Sequence, residues 1–198
     1  QVQLHDGEKA LEYFNEAKEI ASNLGSKSLL NNADFYIAFA MLDQGLDQTA
    51  LGSHPTHRAV LQQAIILLEK FIKTPTAPYY HASALVFIGW AHSDLGNYDQ
   101  ALDVLNEAKT LNKELNMQTS FGYSSYSIMR IHLERQDYSA VIAMSDDKIT
   151  TRLQANFLAR AYFENNDADN AIETLKTFKQ LQPELWQSKD EQRLLAYQ

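Results

Sequence analysis

The 198-residue sequence has no cysteine, only 7 glycines and 4 prolines, no basic tract and no long apolar run. Each shortage removes a class of protein. Without cysteine there is neither a disulfide framework nor thiolate chemistry, a lack that leaves cytosol and periplasm both open. The longest apolar run, Ala64 to Leu68, is far too short to cross a bilayer. A formal net charge of −8, from 17 basic against 25 acidic residues, offers no electrostatic footprint for nucleic acid or for an anionic membrane surface. Few helix breakers, plentiful Ala, Leu, Gln, Glu and Lys, and no dense Val/Thr/Ile alternation point to an all-helical chain. The sequence opens on Gln1 without a signal-like segment, which reads as a piece of a longer chain.

What the sequence does contain is repetition. Ala-Leu-x-x-x-Asn-Glu-Ala-Lys runs from Ala10 to Lys18 and returns from Ala101 to Lys109, and the same column pattern follows Ala64, Val141 and Ala171. Self-similarity at a few tens of residues marks an array of stacked units, each of which hides its apolar face against its neighbours. Ala10, Phe14, Ala17 and Ile20 match Ala101, Leu105, Ala108 and Leu111, and again Ala171, Leu175, Phe178 and Leu181, intervals that keep one stripe on one helix face. A partner helix precedes each, with its close-contact position at Gly89, Met129 and Ala159, and turns such as Leu95-Gly96-Asn97 join the two. Asn97 with Gln100 has the form of a helix-start capping pair.

On these columns residues Ala82 to Glu114 resemble a tetratricopeptide repeat: Ile88-Gly89, His92, Leu95-Gly96, Tyr98, Ala101, Leu105 and Ala108 fall on the family's signature positions. Ala155 to Pro183 is similar, with Ala159, Tyr162, Ala171, Phe178 and Pro183 in register, and Ile20 to Leu24 and Leu111 to Leu115 resemble the longer repeats found in bacterial signalling regulators. The resemblance implies an all-α fold, a right-handed α-solenoid of antiparallel helix pairs with one inserted loop and a C-terminal capping helix, forming a single domain.

Within it we expect the second half of an incomplete repeat at 1–24, repeats at 31–73, 78–116 and 149–181, a degenerate repeat at 119–147 and a cap at 183–198. The cap could equally be the first half of a further repeat. Helices are expected at about 5–24, 31–44, 57–73, 78–95, 97–116, 119–135, 137–146, 149–164, 167–181 and 183–197. Ala38 and Ala64 are too far apart for a simple hairpin, so a loop is expected over about 45–59. The bulky Met129/Val141 pair, and the failure of the stripe at Ser145 and Lys148, predict a short helix there. The first half of the opening hairpin would lie upstream of Gln1.

In this family the first helices line a concave face, and the second, fifth, ninth and twelfth positions of each repeat contact the partner. By register these are Asn32, Phe35, Phe39 and Leu42; Ser83, Val86, Trp90 and Ser93; Tyr123, Tyr126, Arg130 and Leu133; and Leu153, Asn156, Arg160 and Phe163. From these the candidate partner-binding residues are Asn32, Phe35, Phe39, Val86, Trp90, Tyr123, Tyr126, Arg130, Asn156 and Arg160. Aromatics and arginine dominate binding hot spots, so such a face suits an extended or helical peptide with apolar anchors and an acidic group near Arg130 and Arg160. Against that, several of the aromatics could pack between repeats and the arginines could pair with Glu134 or Glu164.

Little else carries chemistry. His54-Pro-Thr-His57 lacks the further ligands a zinc site needs and reads as a surface loop. His92 and His132 occupy a column usually filled by Tyr and read as packing imidazoles; Asp146-Asp147 reads as solvated charge. No phosphate loop, nucleophile elbow or His-Glu-x-x-His motif is present. The expectation is a non-enzymatic module without cofactor or metal, which binds a protein or peptide and neither nucleic acid nor membrane. The alternative is a scaffold or self-association domain of a larger regulator, forming a homodimer through exposed array ends.

Overall fold

The computed structural model describes residues 6–48, 55–145 and 151–198, and every regular element among them is helical. In chain order these are α1 (Asp6–Asn23), α2 (Lys27–Gln48), α3 (Pro55–Ile72), α4 (Pro78–Asp94), α5 (Tyr98–Glu114), α6 (Gln118–Glu134), α7 (Tyr138–Ile142), α8 (Arg152–Glu164), α9 (Ala168–Leu181) and α10 (Ser188–Tyr197). The chain forms two compact units, residues 1–111 and 112–198. In the first, α1 packs on α2, α2 on α3 and α3 on α4; in the second, α6 packs on α7 and α8, α7 on α8, α8 on α9 and α9 on α10.

One kind of turn ends five of these helices. Gly25, Gly96, Asn116, Gln136 and Asn166 all have φ between 57° and 80°. After α4, Gly96 N donates to Ser93 O and Asn97 N to His92 O; the same pair of bonds recurs at Gln136 and Asp137, and at Asn166 and Asp167. These bonds satisfy the last carbonyls of each helix and turn the chain back on itself. The next helix is then capped, by Asp137 on Ala140 N and by Asp167 on Asn170 N. Asn97 occupies the equivalent place before α5, its carbonyl accepting from Ala101 N, while its side-chain amide lies 3.4 Å from His92 Nδ1.

The core of the first unit gathers Ala38, Ala64, Leu61, Leu68 and Phe71, all essentially inaccessible. The extra residues between Ala38 and Ala64 are not all loop: α2 continues through Gly45 to Gln48 and α3 begins at Pro55, which suits the first turn of a helix because that turn needs no N–H. Only residues 49–54, with His54 among them, lie outside the described residues, and His57 falls in the first turn of α3. Gly89 is buried in α4, where an added Cβ would lie 2.6 Å from Leu105 Cδ2, so the tight spot opposite the glycine is filled by Leu105, one turn beyond the Ala101 expected from the repeat.

In the second unit Met129 and Val141 share a cluster with Leu133 and Leu158, and α7 is 5 residues long, the short helix that this bulky pair predicts. Asp146-Asp147 lies outside the described residues. A neighbouring cluster joins Ala159, Ala171 and Leu175 to Leu194 of α10, with Trp186 and Tyr197 packed against it. The last segment is not the one helix expected over 183–197. Pro183–Leu185 makes a 3₁₀ turn, Trp186 and Gln187 are extended with ψ of 133° and 161°, and a new helix starts with a Gln187/Asp190 capping box.

Candidate partner-binding surfaces

In the first unit the expected contact positions divide by burial. Phe35 is buried, with its ring 4.9 Å from Phe71, 5.6 Å from Tyr80 and 5.9 Å from Phe87, and Val86 is buried with Leu85 and Ala108. Both therefore hold helices together instead of lining a surface. Phe39 keeps 42% of its area exposed over Phe87 at 5.0 Å, and Phe87 meets the half-buried Trp90 at 5.5 Å. Asn32 is exposed, and so is Tyr36, stacked on Phe14 at 5.3 Å. The surface left by α2 and α4 is a short aromatic patch of Phe39, Phe87 and Trp90.

In the second unit Tyr123, Tyr126, Arg130 and Leu133 follow one another on one face of α6, at intervals of three and four. Tyr123 is exposed, whereas Tyr126 is half-buried and stacks on Phe157 of α8 at 5.2 Å with the rings 13° from parallel. Beyond that stack opens a cleft of about 430 Å³, lined by Arg130, Leu133, Glu134, Tyr138, Phe157 and Arg160 among others. The two arginines named from the sequence thus stand on one cleft, over an aromatic and an aliphatic side chain. Arg160 Nε lies 4.0 Å from Glu164 Oε1, an i,i+4 contact between exposed groups that binds Arg160 weakly.

Asn156 departs from its expected role. It is buried, and its amide donates to Arg152 O and to Asp190 Oδ1, each at 2.9 Å, while its side-chain oxygen accepts from Arg193. Asp190 is itself fully buried, accepts from Arg152 Nη1 at 3.1 Å and closes the cap on Gln187 N. Asn156 therefore anchors α10 to α8. Beside it, Glu191 takes Lys179 at 2.6 Å and Trp186 Nε1 at 2.8 Å, and these bonds hold its carboxyl below the usual range.

A second buried carboxylate, Asp34, sits inside the apolar stretch of α2 between Lys18 of α1 at 2.7 Å and Lys70 of α3 at 2.8 Å. Burial pushes its carboxyl up, but the bonds and charges of the two lysines outweigh this and the pKa lies below its ordinary 3.8. The sequence carried one signal for it, a lone acid among Ala33, Phe35, Ile37 and Ala38. His92 and His132 do more than fill space. Each reaches the residue five positions on across its turn, His92 to Asn97 and His132 Nδ1 to Asp137 Oδ2 at 3.3 Å. Burial pushes the His92 imidazole below its ordinary 6.5, with Glu69 partly opposing.

The tetratricopeptide repeat pattern matches residues 82–115, which take in α5 and all but the first turn of α4, and residues 158–184, which take in α9 and the second half of α8. The chain contains tetratricopeptide repeats. The matched stretches are those singled out by Gly89/Ala101 and Ala159/Ala171, and both helix pairs close on the left-handed turn described above. Tetratricopeptide repeats serve protein–protein interaction and scaffolding. No curated protein matches the chain significantly. Among the described residues no helix is long and apolar enough to cross a membrane, and no three His, Asp or Glu side chains converge as metal ligands.

Proposed function

We propose that this tetratricopeptide repeat protein captures a partner through the α6/α8 face, taking an extended or helical peptide that sets apolar side chains on Tyr126 and Phe157 and an acidic group between Arg130 and Arg160. The observation that supports this most is the shared cleft. Two guanidinium groups, each a planar fork of donors, line it together with Phe157 and Leu133, so an incoming peptide meets charged donors and apolar carbon on one surface. Exposed Tyr123 extends the same face, and in the first unit Phe39 and Trp90 offer a further aromatic contact. The test is selection from a displayed random-peptide library on the wild-type protein and on Arg130→Glu/Arg160→Glu. Acidic sequences enriched by the wild type should bind the double variant at least tenfold more weakly, about 1.4 kcal/mol. Identical enrichment on both proteins would remove the cleft from the reading.

A second reading, self-association, draws on the first unit. Tyr13, Ile20 and Leu24 of α1 and its following turn are 67%, 55% and 69% exposed, an apolar edge that another copy could cover. Sedimentation equilibrium across a hundredfold concentration range tests it, since a strict monomer throughout would eliminate the dimer.

A further inference from the structure

We propose that the second unit carries another docking surface, on the side of α9 left bare by the short α7, and that it takes an amphipathic helix of a partner protein, apolar on its inner side and with a lysine or arginine beside Glu173. The proposal is independent of the α6/α8 cleft.

Within the chain the triplets α3, α4, α5 and α7, α8, α9 are equivalent, and their difference shows what is uncovered. The helix α3 has 18 residues, and its last, Ile72, packs together with Leu111 of α5 on Leu85, Val86 and Ala108. The helix α7 has 5 residues. Leu181 stands in α9 where Leu111 stands in α5, one step beyond Ala171, Leu175 and Phe178, and it is 71% exposed. Beside it lies a cleft of about 550 Å³ with Leu158, Tyr162 and Phe178 on its walls. Among the described residues nothing stands on this site, which the last turn of the longer helix covers in the other triplet.

The chemistry of the rim favours a helix over an extended peptide. The two lining threonine hydroxyls are already engaged within α9, Thr174 Oγ1 with Asn170 O at 2.7 Å and Thr177 Oγ1 with Glu173 Oε1 at 3.3 Å. An extended chain laid there would find few partners for its own N–H and C=O groups, whereas a helix satisfies them internally and offers only side chains. Among the described residues Glu173 is the one charged side chain lining the cleft, and it selects a cation on the incoming helix.

The test uses two labelled 17-residue helical peptides with the same Leu/Ala inner stripe, flanked by Lys in one and by Glu in the other, followed by fluorescence anisotropy. The wild type should prefer the Lys-flanked peptide, Leu181→Asp should weaken it at least tenfold, and Glu173→Lys should reverse the preference. Arg130→Glu/Arg160→Glu should leave it within twofold. Leu181 is exposed, so its variants keep the fold, which circular dichroism checks. Binding unaffected by Leu181→Asp and Glu173→Lys, or absent for both peptides, overturns the proposal. In Leu181→Cys the new thiol is the only one in the chain. It should react at the rate of an open cysteine in dilute protein. Slow reaction would show that the chain's own residues cover the site, and a wild-type dimer converted to monomer by Leu181→Asp would show that a second copy does. Either result overturns the partner helix.

Discussion

Gln136 stands in the turn position that Gly96 fills, and both adopt the left-handed conformation, with φ of 58° and 80°. Glycine enters that region freely, but a side chain there brings Cβ against the following carbonyl at a cost of about 1–2 kcal/mol. Gln136→Gly should therefore stabilise the protein by about 0.5–1 kcal/mol once the greater freedom of unfolded glycine is counted. The expected rise in Tm is about 2–4 °C per kcal/mol for a chain of this size. Gly96→Ala should move the transition the other way by a similar amount. Thermal melts that leave both variants at the wild-type midpoint would mean the turns do not carry this strain.

Gly89 exists to admit Leu105. A Cβ at position 89 would collide with the side chain of the fully buried Leu105, so the leucine or the helix must shift. Gly89→Ala should cost about 1–3 kcal/mol by overpacking, and Leu105→Ala about 2–5 kcal/mol by leaving a cavity. Because the added methyl occupies part of that cavity, the double variant should lose clearly less than the two single losses combined. Urea unfolding midpoints of the three variants check this, and strict additivity would show that the two side chains do not compete for one space.

Asp34 joins three helices by one buried carboxylate, and the asymmetry of its surroundings makes a sharp forecast. It is 2% exposed, whereas Lys18 and Lys70 are 41% and 63% exposed and can return to water. Lys18→Met/Lys70→Met strands a buried charge and should cost about 3–5 kcal/mol, while Asp34→Asn removes the charge and should cost only about 1–2 kcal/mol. The sign with pH follows from the depressed carboxyl. Its contribution is complete above the ordinary value of 3.8 and is lost as pH falls below it through the lower folded-state value. His92 adds a loss at higher pH. Since burial holds its folded pKa under 6.5, the unfolded chain binds the extra proton first and stability declines as pH drops below 6.5. Stability measured from pH 8 to 3 should fall in two stages, the lower one flattened by Asp34→Asn and the upper one by His92→Gln.

The repeat was legible because it rests on periodicity. Nine of the helices expected from stripes and breakers lie within a few residues of those observed, and the stripe that fails at Ser145 marks where α7 is short. Column position could not say which contact residues were accessible. Phe35, Val86 and Asn156 hold the fifth position of their repeats, assigned to the partner like the ninth-position Phe39, Trp90 and Arg160, yet they are buried by Phe71, Ala108 and Asp190, which approach from other helices. The roles of Asp34 and Asp190 also depend on residues from other helices. Asp34 lies among apolar neighbours and Asp190 in the polar stretch 187–193, and in neither place does the sequence show the lysines or arginine that neutralise the acid, which arrive from positions 16 to 38 residues away.

Asp190 provides the test of what holds α10 in place. Its two oxygens meet Arg152, Asn156 and the Gln187 N–H, so removing them leaves a buried amide and a guanidinium without their acceptor and opens the helix cap at once. Asp190→Ala should cost about 2–4 kcal/mol, the sum expected from a lost cap and from unsatisfied buried donors. The loss should be local. Leu194 and Tyr197 leave the cluster around Ala159 and Leu175 when α10 detaches, so amide hydrogens of residues 188–197 should exchange fast while those of α2 and α3 keep wild-type protection. Asp190→Asn retains an acceptor for Arg152 and should recover about half the stability. Uniform loss of protection across the chain in Asp190→Ala would show instead that α10 is an integral part of the fold and not a separable cover over α8 and α9.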